Sequence, residues 1–125
     1  MVVDDNEEVR AVFSIGLEIQ NHEVIQCANG HEAIELFQKE MPEIVILDQS
    51  LPDTQGIDVG KQIRNLKNGQ NTVVALITGT HDATLRQATE DAGLDDFLLK
   101  PLSIKELACW VNKVSLDPNS RLNRN

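Results

Sequence analysis

The amino-acid sequence predicts a doubly wound α/β fold built on one five-stranded parallel sheet. Five short apolar runs alternate with longer stretches of helical period, which is typical of a parallel sheet with helices on both faces. Two of the runs, at residues 44–47 and 73–77, are continuously apolar, as expected of strands that are covered on both faces. A chain of 125 residues that is 41% hydrophobic is long enough for one compact domain.

Each strand is predicted from a short apolar run that ends at polar residues or at a breaker. The five predicted strands are residues 1–4, 23–27, 43–48, 73–78 and 96–99. The breakers Gly30, Pro42, Gly69 and Gly93 fall in the gaps between the apolar runs and the helical stretches.

The predicted helices follow the strands in turn. The first begins after Asn6, whose side chain can cap a helix that opens with Glu7 and Glu8 and continues with apolar residues at helical spacing. The last begins at a capping box formed by Ser103 and Glu106. The three helices between them are predicted over residues 31–41, 56–66 and 82–92.

The end of the sequence differs in composition from the rest. Residues 115–125 have almost no apolar side chains and contain Pro118 and three asparagines, which argue against a packed element. The sequence therefore predicts a domain over residues 1–114, followed by a polar tail or linker over residues 115–125.

The composition excludes several classes of function. The chain has 20 Asp and Glu residues against 11 Lys and Arg, a formal net charge of −9, which argues against direct binding of nucleic acid or of an anionic membrane surface. No apolar run approaches the ~18 residues of a membrane span. Cys27 and Cys109 stand outside any CxxC spacing, which favours free thiols in a reducing compartment and hence a cytoplasmic protein.

Five polar side chains stand at the carboxyl ends of predicted strands, where open parallel sheets bind their ligands. They are Asp4 and Asp5 after the first strand, Asp48 at the end of the third, Thr78 at the end of the fourth, and Lys100 after the fifth. The fold is therefore expected to gather them into a single site.

The residue types at this site indicate phosphoryl chemistry. Three converging carboxylates repel one another and require a hard cation unless they take up protons. A small number of oxygen ligands suits Mg²⁺ better than zinc or a full Ca²⁺ cage. An aspartate can act as the nucleophile, while a lysine and a hydroxyl contact the transferred oxygens. The set therefore predicts a phosphoryl acceptor site with Mg²⁺ as its cofactor.

Four segments carry a more specific signal, namely VVDDNEEVR, IVILDQSLPDTQGIDV, ALITGT and AGLDDFLLKP. Together they resemble the receiver domain of bacterial two-component response regulators. The resemblance implies a flavodoxin-like receiver fold with strand order 2-1-3-4-5. It implies a signalling domain, not an enzyme, that takes part in its own phosphorylation and dephosphorylation. The expected phosphodonor is a sensor histidine kinase or a phosphotransfer protein.

The resemblance assigns roles to the acidic residues. Asp48 matches the phosphoacceptor, Asp5 the direct Mg²⁺ ligand beside it, and Asp4 the acid that usually acts through water. The main-chain carbonyl of Ser50 matches the third protein ligand of the ion.

The resemblance also implies how the switch works. Thr78 matches the hydroxyl that moves to bind the phosphoryl group, and Phe97 matches the aromatic switch residue. Lys100, which precedes an expected cis bond to Pro101, matches the phosphate-pairing lysine. If Thr78 is drawn towards the phosphoryl group, Phe97 is expected to turn inward and change the face built from helix four, strand five and helix five.

The sequence departs from the family pattern in places. Only residues 1–3 precede the acid pair, where the family usually has a longer first strand. Gln49, residues 53–55 and Gly79 replace more usual neighbours without touching an essential group. Ser50 and Thr80 hold positions that tune the lifetime of the phosphoryl group in this family.

Trp110 is a further departure, because the winged-helix subfamily generally carries an arginine there that is used in dimer contacts. A salt-bridged dimer is therefore disfavoured, and an apolar homodimer contact through the face of helix four, strand five and helix five is the alternative hypothesis. Helical spacing places Trp110 at the edge of the apolar stripe of the last helix, which predicts partial exposure.

Three other functions share parts of this pattern. A flavodoxin-like electron carrier needs a first loop that cradles a phosphate, and the acidic residues 4–8 would repel one. An Asp-based phosphohydrolase would need a DxD motif, but Asn6 and Ser50 stand where the second acid would be. A phosphorylation-independent interaction module with the same fold stays the alternative, and the complete set of site residues counts against it.

Overall fold

The structure, a computed structural model, describes residues 1–116, in which five strands alternate with five helices. The strands are β1 (Val2–Val3), β2 (Gln26–Cys27), β3 (Ile44–Asp48), β4 (Val73–Thr78) and β5 (Asp96–Leu99). The helices are α1 (Glu7–Ile19), α2 (Gly30–Glu40), α3 (Gly56–Arg64), α4 (Ala83–Asp91) and α5 (Ile104–Leu116).

The five strands form one parallel sheet in the order β2-β1-β3-β4-β5, which confirms the predicted fold. In the ladder between β1 and β3, Val3 lies opposite Leu47. At the end of the next two ladders, Asp48 lies opposite Ile77 and Thr78 lies opposite Leu99. Parallel pairing in this register brings the carboxyl ends of β1, β3, β4 and β5 to the same edge of the sheet.

Two hydrophobic layers cover the sheet, one on each face. On the first face, α1 and α5 pack over the sheet through Val2, Phe13, Leu17, Ile46, Ile77, Leu107, Ala108 and Val111. On the second face, α2, α3 and α4 pack over a larger core that includes Phe37, Val45, Leu47, Ile63, Leu76, Leu94 and Phe97. Neighbouring residues of β3 and β4 enter opposite layers, because successive side chains of a strand point to opposite faces.

Three of the predicted strands are shorter in the structure, and β3 is shorter by one residue only. The run 23–27 forms a ladder only at Gln26 and Cys27, and the run 1–4 only at Val2 and Val3. The edge strand β2 pairs with β1 alone, so its ladder has the two residue pairs that β1 offers. The short β1 is nevertheless buried, and the carbonyl of Met1 extends it by accepting the N–H of Ile46 at 2.9 Å.

The last helix is longer than predicted. It continues to Leu116, two residues beyond the predicted domain boundary at residue 114, and the hydroxyl of Ser115 donates to the carbonyl of Val111 at 2.8 Å. The remainder of the predicted tail, residues 117–125, lies outside the described residues. None of the helices within residues 1–116 has the length and apolar character needed to cross a membrane.

Candidate functional site

Three aspartates meet at the carboxyl edge of the sheet. Asp4 and Asp5 follow β1, and Asp48 is the last residue of β3. One carboxylate oxygen from each lies within 4.8 Å of the other two. Asp4 and Asp48 are buried, whereas Asp5 is exposed, so the cluster opens to solvent on the side of Asp5.

Lys100 places a positive charge beside this cluster. Its ammonium lies 3.1 Å from Oδ1 of Asp48, and the two side chains are 39% and 8% exposed. The peptide bond between Lys100 and Pro101 is cis, as the resemblance implied. The backbone N–H of Lys100 donates to the carbonyl of Thr78 at 2.8 Å, which joins the segment after β5 to the end of β4.

Burial and electrostatic repulsion both shift the pKa of Asp4. Burial raises the pKa of its carboxyl group, and the charges of Asp48 and Asp5 raise it further. The backbone N–H of Asn6, which donates to Asp4 Oδ1 at 2.9 Å, and the charge of Lys100 act in the opposite direction. A proton or a cation close to Asp4 would relieve both the burial of its charge and the repulsion from the other two carboxylates.

The three carboxylates fit a small divalent cation. Oxygens in one octahedral Mg²⁺ shell lie roughly 3 to 4 Å apart, as ligand distances of about 2.1 Å require. The observed spread of up to 4.8 Å is close to this range, so the side chains of Asp4, Asp5 and Asp48 would need only a small inward movement. The exposed side of the cluster leaves room for the waters that Mg²⁺ keeps in most protein sites.

Thr78 lies between the strands of Asp48 and Lys100. It is buried at the end of β4, and its Oγ1 accepts the backbone N–H of Thr80 at 3.2 Å. Thr80 itself is exposed. The Thr78 hydroxyl is therefore held at the same sheet edge as the acids and the lysine, as its position in the sequence predicted.

The loop between β3 and α3 is tightly folded around Asp48. Gln49 donates its N–H to the carbonyl of Ile77, accepts the N–H of Gly56 at its own carbonyl, and accepts the N–H of Ile57 at its side chain. A Cβ atom at Gly56 would lie 2.3 Å from the carbonyl oxygen of Asp48, so this position requires glycine. Sequence reasoning treated Gln49 as a neutral replacement and missed these bonds.

Ser50 stands in this loop, two residues after Asp48. It forms an isolated antiparallel bridge with Gln55, which closes the base of the loop. The acidic cluster comprises the side chains of Asp4, Asp5 and Asp48, and the role of the Ser50 carbonyl as a further ligand stays a prediction.

The switch candidate Phe97 is already largely buried. It lies in the core on the side of α4, and the guanidinium carbon of Arg86 lies 5.6 Å from the centre of its ring. On the opposite face of β5, the indole N–H of Trp110 donates to Asp96 at 2.7 Å. Trp110 is partly buried, which confirms the predicted partial exposure. The contacts of Arg86 and Asp96 carried no signal in the sequence.

Comparisons with known proteins agree with this arrangement. A family model described as "Response regulator receiver domain" matches residues 1–112. The chain is 31% identical over 114 residues to "Probable transcriptional regulator ycf27" of Porphyridium aerugineum, covering 91% of this chain and 46% of that protein. It is 33% identical over 107 residues to "Response regulator MprA" of Mycolicibacterium vanbaalenii, covering 86% and 46%.

Solved structures share the fold. The chemotaxis response regulator CheY4 of Vibrio cholerae is similar with a TM-score of 0.85 and 26% sequence identity, over 90% of this chain and 94% of that chain. The chain spans about half the length of the curated relatives it matches. Since the family model covers nearly all of the described residues and the strand order is the expected one, the chain belongs to the response regulator receiver domain family.

Proposed function

We propose that this chain is a phosphorylation-dependent signalling switch that accepts a phosphoryl group on Asp48. The observation that carries the proposal is the setting of the Asp48 carboxylate. It is buried, it shares a cluster with Asp4 and Asp5, and it lies 3.1 Å from the ammonium of Lys100. A nucleophilic carboxylate between a candidate cation site and a fixed positive charge is what phosphoryl transfer to an aspartate requires.

The Asp48 carboxylate supplies the nucleophile in this proposal. One of its oxygens attacks the phosphorus of a phosphohistidine whose second ring nitrogen carries a proton. A P–O bond forms as the P–N bond breaks, the P–N electron pair stays on nitrogen, and the donor leaves as neutral imidazole. Lys100 is placed to pair with the transferred oxygens, and the hydroxyl of Thr78 can donate to one of them. Mg²⁺ held by Asp4, Asp5, Asp48 and the main-chain carbonyl of Ser50 would offset the charge that accumulates on the transferred group.

The arrival of the phosphoryl group would alter the face formed by α4, β5 and α5. The phosphoryl group carries a charge of about −1.5 to −2, but the Asp48 carboxylate loses its own charge when the P–O bond forms, so the anionic pocket gains roughly one negative charge. Movement of Thr78 towards this charge would change the end of β4, to which the backbone of Lys100 is bonded. Phe97 and Asp96 lie on the adjacent strand and contact α4 and α5, so a displacement of β5 reaches both helices.

The proposed partners follow from this chemistry. The phosphodonor is a sensor histidine kinase or a phosphotransfer protein, and a homodimer through α4, β5 and α5 is proposed as one use of the altered face. Nucleic-acid binding is not assigned to this segment, whose net charge is −9.

The state of the two cysteine thiols is relevant to the cellular compartment of the domain. Cys27 is buried, and burial raises the pKa of its thiol to about 11, whereas Cys109 is exposed. Both are free, which suits a reducing compartment, and we assign the domain to the cytoplasm.

Labelling with a small phosphodonor tests the proposal. Wild type, Asp48→Asn and Asp58→Asn would be incubated with radiolabelled acetyl phosphate and Mg²⁺. Asp58 is exposed in the first turn of α3, so its variant removes one charge outside the site. We expect label on wild type and Asp58→Asn and none on Asp48→Asn. Stoichiometric label on Asp48→Asn would overturn the acceptor, and no label on any of the three would favour the phosphorylation-independent module.

A further inference from the structure

The loop that carries Ser50 is fixed at both of its ends. At its base, Gln49 is bonded to the end of β4 and to the start of α3, and Ser50 is bridged to Gln55. Within the loop, the N–H of Leu51 donates to the carbonyl of Thr54 at 3.3 Å. The tip of the loop, at Asp53, is bonded to a different element.

Asp53 binds the amino end of α2 with both carboxylate oxygens. Oδ1 accepts the N–H of Gly30 at 2.8 Å, and Oδ2 accepts the N–H of His31 at 2.9 Å. The third N–H of the helix, that of Glu32, is taken by Asn29 from the helix's own N-cap. Asp53 therefore supplies two of the three first bonds of α2 from a loop that lies 22 residues or more away in the sequence.

The contact between the loop tip and α2 leaves little space. A Cβ atom on Gly30 would lie 2.4 Å from Cγ2 of Thr54 and 2.9 Å from Cγ2 of Val59. Real Cβ atoms do not approach other atoms so closely, so α2 and the loop meet directly at Gly30. The two bonds of Asp53 hold its pKa below the ordinary value, which shows that they favour the charged carboxylate.

We propose that Asp53 is a positioning residue for the divalent cation: by tying the tip of the β3–α3 loop to α2, it fixes the Ser50 carbonyl at the distance from Asp48 that the cation requires. This inference rests on the proposed function, in which the Ser50 carbonyl is a ligand beside the carboxylates. Asp53 itself lies outside the acidic cluster of Asp4, Asp5 and Asp48. It acts on the ion only through the loop.

Asp82 provides a matched control. It is an exposed aspartate that caps the amino end of α4, where its Oδ1 accepts the N–H groups of Thr84 at 2.8 Å and Leu85 at 3.3 Å. Asp82→Ala and Asp53→Ala each remove one negative charge and one helix cap. Only Asp53→Ala frees the tip of the loop that carries Ser50 from α2. Asp53→Asn is an intermediate case, because an amide keeps one acceptor oxygen and loses the charge.

The test compares the Mg²⁺ affinity of wild type and the three variants by calorimetric titration with MgCl₂, beside urea unfolding of each in Mg²⁺-free buffer. Loss of an outer residue that orients a ligand typically weakens metal binding by tenfold or more. We expect Asp53→Ala to weaken Mg²⁺ binding by about tenfold relative to Asp82→Ala, with Asp53→Asn between them. The stabilities of the two alanine variants are expected to fall by similar amounts.

Each outcome separates the inference from the proposed function. If wild type binds Mg²⁺, and Asp53→Ala and Asp82→Ala bind it with equal affinity, the positioning role is overturned and the proposed function stands. Wild type that fails to bind Mg²⁺ would overturn the proposed metal site and this inference with it. If Asp53→Ala does not fold, the comparison is made on Asp53→Asn, for which an affinity equal to that of Asp82→Asn would overturn the positioning role.

Discussion

The indole N–H of Trp110 donates a hydrogen bond to the carboxylate of Asp96 across 2.7 Å, and this bond joins α5 to β5. The next residue of the strand, Phe97, points to the opposite face and meets Arg86 of α4 at 5.6 Å. Two adjacent residues of one strand therefore contact the two helices that flank it. A shift of β5 would be transmitted to both of them.

This arrangement predicts a fluorescence response from Trp110, which is the chain's single tryptophan. If β5 moves when Asp48 is loaded with beryllofluoride, the bond between Trp110 and Asp96 changes, and so do the emission maximum and the quenching by acrylamide. Asp48→Asn is the control and should give no response under the same conditions. An unchanged spectrum and unchanged quenching in wild type with confirmed loading would remove Trp110 from the switching surface.

Arg86 is predicted to stabilise the fold through the ring of Phe97. Arg86 is exposed, and a cation over an aromatic ring at an exposed position contributes about 0.5–1 kcal/mol. Arg86→Ala should therefore lower the free energy of unfolding in urea by about this amount. Arg86→Lys keeps the positive charge and should lose less. Equal stability of Arg86→Ala and wild type would show that the stack contributes nothing.

Among the ion pairs of the described residues, the pair of Arg64 and Asp95 is predicted to lose the most stability when one partner is removed. The guanidinium of Arg64 lies 2.8 Å from Asp95 Oδ2 and also donates to the carbonyls of Gly69, Thr72 and Gly93. Asp95 accepts the N–H of Val74 as well, so this pair ties the α3–β4 and α4–β5 connections to β4.

Removal of Asp95 leaves the largely buried Arg64 guanidinium without its counter-charge, so Asp95→Ala should cost about 3–5 kcal/mol of unfolding free energy. Asp91→Ala, at an exposed acid of α4, should change it by about 0.5 kcal/mol or less. Urea denaturation of both variants provides the comparison. Similar losses in the two would show that the buried pair is not a special contributor.

Asp4 is predicted to lower stability in Mg²⁺-free buffer. Its pKa in the folded state is raised, so the folded protein holds the proton more tightly than the unfolded chain, and stability falls as pH rises above the ordinary carboxyl pKa. Asp4→Asn removes this loss and keeps an oxygen for the N–H of Asn6. The variant should be more stable than wild type at neutral pH and equal to it at low pH.

Urea unfolding at the two pH values without Mg²⁺ measures this difference. Added Mg²⁺ should stabilise wild type more than Asp4→Asn, because the variant offers one carboxylate fewer. If Asp4→Asn is less stable than wild type at neutral pH, the charged Asp4 carboxylate does not destabilise the folded protein.

The sequence was sufficient to predict which polar residues meet at the edge of the sheet, because this depends on strand position. Parallel strands end at one edge, so the convergence of Asp4, Asp48, Thr78 and Lys100 followed from where each stands relative to an apolar run. The length of β2 could not be predicted in this way, because it depends on the two residues of its neighbour β1.

The end of α5 shows a second limit. Proline disfavours helical backbone at the residue immediately before it, so Pro118 does not prevent the helix from continuing through Ser115. Burial of Val114 favours the longer helix. The bonds of Asp53 to α2 and of Trp110 to Asp96 join elements whose relative orientation is set by packing. Local sequence patterns do not report that orientation.

If Asp48 is the phosphoacceptor, chemical trapping followed by peptide mapping should locate the modification at this residue. Wild type treated with acetyl phosphate and Mg²⁺ would be reduced with borohydride, which converts an aspartyl phosphate into homoserine and leaves free carboxylates unchanged. Peptide mass spectrometry then locates the homoserine. We expect it at position 48, with Asp4 and Asp5 unmodified. Homoserine at Asp4, Asp5 or any other aspartate, with Asp48 intact, would show that Asp48 is not the phosphoacceptor.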